Sequence, residues 1–174
     1  RLALTDLKKV PNPNLKKANA DITIYEFFDY NCGYCKSVMQ NIFNIYKKDK
    51  KVEIVFVEYP ILSNSSLSAA IASLAARNQN KYFEFHTKLM KHKGKIDDKF
   101  LLSLAKELKI DTKQLKSDYS DEKLMLIINK NREIADRLNL RGTPAFIIGN
   151  KIYPGAMSEK DIEKAIALER NKWI

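Results

Sequence analysis

The stretch DITIYEFFDY, residues 21–30, constrains the fold of this chain more than any other. Threonine, isoleucine, tyrosine and phenylalanine dominate it, as they do β-strands. It is apolar on both faces, and a strand of that kind lies in the middle of a sheet that is covered on both sides. A layered α/β core follows from this one segment.

The pattern changes after Cys32. Val38, Met39, Ile42, Phe43 and Tyr46 recur at helical spacing, which predicts a helix. KVEIVFVEYP predicts a second strand, stopped by Pro60. Asn64 or Ser63 caps the next helix, whose stripe is Leu67, Ala70, Ile71 and Leu74. Further helical segments are expected near residues 80–92, 98–108, 112–118 and 121–139. PAFIIG and KIYPG then flank a Gly-Asn hairpin signal. Ser158 opens a last helix with a stripe of Ile162, Ala165, Ile166 and Trp173. A βαβ unit and a ββα unit separated by a helical block imply one α/β core carrying a helical insertion.

Composition narrows the function. The chain has 174 residues and a net charge of +10. A chain this long buries a core without covalent staples. Its lysines are scattered, with no arginine-rich run and no nucleic-acid motif, so the charge reads as a solvated surface. The longest apolar segment, Ile54 to Leu62, is broken by Glu58 and Pro60 and is too short to span a bilayer. The start at Arg1 reads as a mature or trimmed chain.

Both cysteines, Cys32 and Cys35, lie in FFDYNCGYCKSVM. As a disulfide staple they would close a loop containing only Gly33 and Tyr34, which stabilises little. As zinc ligands they lack a second cysteine pair, and His86 and His92 are spaced too far apart to share one helix face. A redox pair fits better. Cys32 sits where a strand gives way to a helix N-terminus, whose free N–H groups favour a thiolate. Cys35, one turn deeper, is placed to resolve a mixed disulfide made by Cys32. Gly33 permits a tight backbone, and Tyr34 covers the pair without adding charge. The Cys32 pKa is expected below the free value of about 8.5, at about 4–6.

Two further features accompany the pair. Glu26 shares a strand face with Ile22, Ile24 and Phe28, where a carboxylate is costly without a partner or a task. It reads either as a proton acceptor for Cys35 with a raised pKa, or as an acid satisfied by backbone or solvent. In LRGTPAFIIGN, Thr143 precedes Pro144 and a strand begins at once. Pro144 reads either as a cis proline, which would leave neighbouring backbone groups free to pair with an extended substrate, or as a trans proline that simply starts an edge strand.

FFDYNCGYCK and LRGTPAFIIGN, on either side of a helical block, together resemble the DsbA-like branch of the thioredoxin superfamily. The resemblance implies a thioredoxin fold with an all-helical insertion. The core would be residues 20–62 and 139–174, the insertion residues 63–138, and residues 1–19 an N-terminal lead-in or stalk remnant. It implies Cys32 as nucleophile, Cys35 as resolving thiol, Glu26 as the buried acid, and Thr143 with cis Pro144 against the disulfide and the substrate backbone. Gly33, Tyr34 and Thr143 match the DsbC-type disulfide isomerases, while the prototype oxidase carries Pro-His and valine there. The adjacent strand lacks the lysine that often pairs with the buried acid and holds only Glu53 and Glu58.

The activity implied is thiol–disulfide exchange in the periplasm or cell envelope, as a disulfide oxidase or isomerase acting on exported proteins with cysteines. A membrane redox partner, a quinone-linked oxidant or a reductant, is implied, and no cofactor beyond the Cys32–Cys35 disulfide. A homo-oligomer built through an N-terminal segment is a further expectation, from the position of RLALTDLKKV alone. The rival reading is a periplasmic carrier of copper(I) or zinc on the Cys32/Cys35 dithiol.

Overall fold

A computed structural model describes residues 2–172. Helix α1 (Leu2–Leu7) and a short strand β1 (Asn14–Leu15) precede β2 (Ile22–Phe28), α2 (Gly33–Lys48) and β3 (Val52–Glu58). Five helices follow: α3 (Asn64–Arg77), α4 (Tyr82–Lys91), α5 (Asp98–Glu107), α6 (Thr112–Tyr119) and α7 (Glu122–Arg137). Strands β4 (Ala145–Ile148) and β5 (Lys151–Pro154) and helix α8 (Glu159–Asn171) complete the order. This is the expected α/β thioredoxin fold with a helical block between β3 and β4.

The sheet runs β1-β3-β2-β4-β5, with β2 at its centre. β2 lies parallel to β3, from Ile22 opposite Val52 to Phe28 opposite Glu58. It lies antiparallel to β4, from Ile24 opposite Ile148 to Phe27 opposite Ala145. The ends of β2 and β3 and the start of β4 therefore meet at one end of the sheet, which positions the site.

The alternation along β2 divides the core in two. Ile22, Ile24 and Phe28 pack with Ile54 and Phe56 of β3, the inner stripes of α2 and α8, and the helices of the block. Tyr25 and Phe27 face the other way, onto Val55, Val57, Ile147, Leu7 of α1, and Ile134 and Ala135 of α7. Helix α7 serves both sides, since its Leu124, Ile127 and Ile128 belong to the first cluster. Each fully buried side chain of this size contributes roughly 1.5–3 kcal/mol relative to exposure. The stripe expected on the last helix is buried at Ile162, Ala165 and Ile166, while Trp173 lies outside the described residues.

The segment read as a lead-in or stalk remnant, 1–19, is packed into the fold over much of its described length. Leu7 is 1% exposed, and β1 pairs antiparallel with the outer side of β3. Asn12 and Asn131 of α7 exchange a buried pair of amide hydrogen bonds of 3.0 and 2.8 Å. The amide of Asn131 also donates to the Glu58 carbonyl, at 3.1 Å. An apolar face on α7 and an unpaired edge on β3 account for this docking, because each is stabilised by cover.

Helices α3, α5 and α7 end alike. Asn80, Lys109 and Asn139 adopt φ of 58°, 57° and 57°. The N–H of the next residue in each case, Lys81, Ile110 or Leu140, returns to the carbonyl of Ala76, Ala105 or Ala135. That is a left-handed C-terminal cap, made here without glycine. Among the described residues no helix is long and apolar enough to cross a membrane.

Candidate active site

Cys32 is the N-cap of α2. Its φ of −84° and ψ of 112° lie outside the helix, and its sulfur accepts the Cys35 N–H at 3.1 Å. A thiolate here occupies the place of a capping oxygen, at the positive end of a sixteen-residue helix. The Cys32 Sγ also lies 3.4 Å from the Thr143 carbonyl oxygen, 111 residues away in sequence. The Thr143–Pro144 peptide bond is cis. Both cysteines are free in this structure.

The two sulfurs are treated in opposite ways. Interaction with the Cys35 side chain, opposed by burial and aided by Thr143 and the Cys35 backbone N–H, brings the Cys32 thiol down to about 6. That is the upper end of the expected range. Burial, with the Cys32 sulfur second, pushes the Cys35 thiol far above the ordinary range. At neutral pH this leaves Cys32 as a thiolate and Cys35 with its proton.

Glu26 lies within β2, on the sheet face that carries both cysteines, and is 2% exposed. Among the described residues no group hydrogen-bonds its carboxyl. Burial, and secondarily the charge of Cys32, push its pKa up to about 8. For the reading in which backbone or solvent satisfies Glu26, no backbone partner is found among the described residues, and 2% exposure leaves little contact with solvent.

Two reasons given for the loop residues are corrected. A Cβ on Gly33 would meet nothing within 4 Å, so crowding does not require glycine there. Tyr34 is 73% exposed and stands out into solvent rather than covering the pair, because it lies on the outer side of the first turn of α2. In the loop after β3, Ile61 and Leu62 are apolar and exposed. An open groove of about 440 Å³ runs past Arg141, Thr143, Pro144, Ile152 and Gly155. A larger cavity, of about 710 Å³, opens between α1 and α7 and touches none of these residues.

Sequence reasoning passed over several buried polar groups. Asp29 accepts from the Asn31 N–H (2.8 Å), the Ser66 hydroxyl (2.7 Å), and the Ile61 and Leu62 N–H groups (2.9 and 3.0 Å). It thereby ties the cysteine loop to the loop after β3. Lys36, on the first turn of α2, reaches the His92 carbonyl, and Asp29 and Cys32 act on its charge. Glu58 accepts from Tyr30 and Tyr82, and Tyr30 contacts His86. Strand parity was the available signal for Glu58, since it shares an inward face with Val52, Ile54 and Phe56. Among the described residues no group of three or more His, Cys, Asp or Glu could hold a metal ion.

A thiolate that caps a helix, a buried thiol one turn below it and a cis-proline strand start against them define the class of thioredoxin-fold thiol–disulfide oxidoreductases. The chain belongs to the thioredoxin family, whose model, described as thioredoxin, matches residues 14–167. Within that superfamily it is DsbA-like. A thioredoxin-like oxidoreductase from Silicibacter pomeroyi superposes with a TM-score of 0.91 at 35% identity, over 95% of this chain and 96% of that one. The thiol-disulfide exchange protein alpha-DsbA2 from Wolbachia pipientis gives 0.89 at 30% identity, over 96% of this chain and 91% of that one. The probable disulfide bond formation protein D of Bacillus cereus is 28% identical over 173 residues, 91% of this chain and 79% of the relative. The chain is a thiol–disulfide oxidoreductase.

Proposed function

We propose that this chain donates disulfides to exported proteins in the periplasm or cell envelope. The observation that carries the reading is the asymmetry of the two sulfurs, with Cys32 lowered to about 6 and Cys35 held as a thiol by burial. A stabilised Cys32 thiolate stabilises the dithiol relative to the disulfide, which makes the disulfide an oxidant. The disulfide bond formation protein among the relatives supports the same direction.

In this reading a substrate thiolate attacks the Cys32 sulfur. The Cys32–Cys35 bond breaks, and the departing Cys35 thiolate takes the proton of Glu26. A second substrate thiolate then attacks the substrate sulfur of the mixed disulfide, and Cys32 leaves as a thiolate. Thr143 and Pro144 contact the substrate backbone beside Cys32. Two electrons have passed to the enzyme, and a quinone-linked membrane partner removes them. No cofactor takes part beyond the cysteine pair.

Gly33, Tyr34 and Thr143 favour a second reading, the isomerase, because they match the DsbC-type pattern. Reactivation of ribonuclease separates the two. Oxidation of the reduced enzyme without rescue of the scrambled one is expected. Rescue of scrambled ribonuclease would replace the oxidase reading by the isomerase. In either case Cys35→Ser is expected to accumulate substrate as a mixed disulfide on Cys32, visible on a non-reducing gel.

A further inference from the structure

Behind the cysteines lies a buried polar cluster that the exchange steps above do not use. Glu58 is 1% exposed at the end of β3, and one of its oxygens, Oε1, accepts from the Tyr30 hydroxyl at 2.9 Å and the Tyr82 hydroxyl at 2.8 Å. The His86 Nδ1 stands 2.9 Å from the Tyr30 oxygen. With the Tyr30 proton directed to Glu58, His86 must supply the other one, so every hydrogen bond in the chain runs toward Glu58. His86 is enclosed by Phe28, Phe56 and Tyr82, with ring centroids 4.9, 4.9 and 5.7 Å away.

Glu58 faces Glu26. The β2–β3 register sets Glu26 opposite Phe56 and Phe28 opposite Glu58, so the two carboxyls share one sheet face and lie diagonal to each other. A charge on Glu26 disfavours one on Glu58, so the pair carries one charge more readily than two. The partners of the two differ. Glu58 has two hydroxyl donors, while Glu26 has none among the described residues. Burial pushes both carboxyls above the usual carboxylate range; at Glu58 the Tyr82 and Tyr30 hydroxyls oppose that push, while Glu26 has no such donor among the described residues.

We propose that Glu58 is a positioning residue for the catalytic proton: the tyrosine cradle places the pair's single charge on Glu58 and leaves the proton on Glu26, beneath the cysteines. This rests on the role given above to Glu26. In the oxidising direction the protonated Glu26 gives its proton to the Cys35 thiolate. In the reverse direction the Glu26 carboxylate, made more basic by the charge on Glu58, takes the Cys35 proton as that sulfur attacks the mixed disulfide. The charge on Glu58 thus acts on Cys35 through Glu26, without touching substrate.

Other groups face Glu58 from each element around it. They are Asp29 and Tyr30 from the β2–α2 loop, Arg77 from α3, Tyr82 and His86 from α4, and the Asn131 amide, on its backbone carbonyl, from α7. Arg77 is the cation that feels the charge of Glu58, though its guanidinium is hydrogen-bonded to the Pro11 carbonyl. Asp29 works against a charge on Glu58 but spends its oxygens on four donors of its own.

The test mixes reduced protein with oxidised glutathione and follows release of the second glutathione, the step in which Cys35 closes on Cys32, across pH. The Glu26 carboxyl carbon is titrated by NMR in the same variants. With Glu58→Gln the Glu26 midpoint is expected to fall by about one pH unit. The high-pH rate of ring closure should drop by about threefold, because the base is weaker. Tyr82→Phe removes one donor from Glu58 and should move both readings the same way by less. It also carries the test if Glu58→Gln does not fold. Glu26→Gln should remove the Glu26-dependent part of the profile. Unchanged profiles and Glu26 midpoints in folded Glu58 and Tyr82 variants, with Glu26→Gln altered, overturn the role of Glu58 alone. A Glu26→Gln profile that superimposes on the native one overturns the role of Glu26, and this inference with it.

Discussion

At the scale of single residues, two ionisations dominate and they pull in opposite directions. Cys32 has its folded pKa lowered from 9.0 to about 6, so its thiolate favours the folded, reduced protein. That stability is present above the unfolded value and is lost as pH falls through about 6. Thiolate absorbance of the reduced protein should therefore titrate near 6, and a midpoint near 8 would contradict the capping geometry. Glu26 is the reverse case, raised from 4.5 to about 8. A buried acid of this kind favours folding only while protonated, so the native protein loses stability as pH rises through that window. The slope approaches about 1.4 kcal/mol per pH unit. Glu26→Gln removes the penalty. The melting temperature of the variant minus that of the native protein should be smallest near pH 4.5, grow up to about pH 8 and then level off. A difference independent of pH would mean that Glu26 is not held protonated.

Among the elements, helix ends show what local sequence does and does not reveal. Ser63, Asp97, Asp111, Asp121 and Ser158 all cap helix N-termini through their side chains, as their chemistry leads one to expect. The C-termini are less legible, because asparagine and lysine stand where glycine is the usual signal. Lys109 adopts φ of 57° while the Ile110 N–H returns to Ala105 at 2.9 Å. A side chain with a Cβ is strained in that region. Lys109→Gly is expected to stabilise the protein by ~1 kcal/mol, read as a higher urea midpoint with an unchanged slope. A lower midpoint would mean that the αL position costs lysine nothing.

For the molecule as a whole, the N-terminal segment and the catalytic end of the sheet are joined through α7 and β3. Leu7 seals the second core cluster, and the Asn12–Asn131 pair reaches the carbonyl of Glu58. Leu7→Ala should cost about 2–5 kcal/mol of unfolding free energy in urea denaturation. Loss of less than about 0.5 kcal/mol, the size of an ordinary surface substitution, would mean that α1 does not belong to the cooperative fold.

Most of the elements and the candidate redox pair were legible in local sequence, but α1 and β1 were not. An apolar run on both faces of residues 22–28 specified a central strand, helical spacing specified the block, and a Cys-x-x-Cys at a strand-to-helix junction specified a redox pair. Each of these is a local property, set by residues within one pleat or one helical turn. Glu26 was legible for the same reason, since parity places it on an inward face. Only the tertiary structure decided which polar groups found partners. Thr143 meets Cys32 across 111 residues because β4 runs antiparallel to β2. Glu58 acquires Tyr30, Tyr82 and His86 because α4 folds over the end of β3. Periodicity shows that a side chain points inward, but hydrogen-bond partners come from chain segments whose proximity is set by sheet register and helix packing, and no local pattern records either.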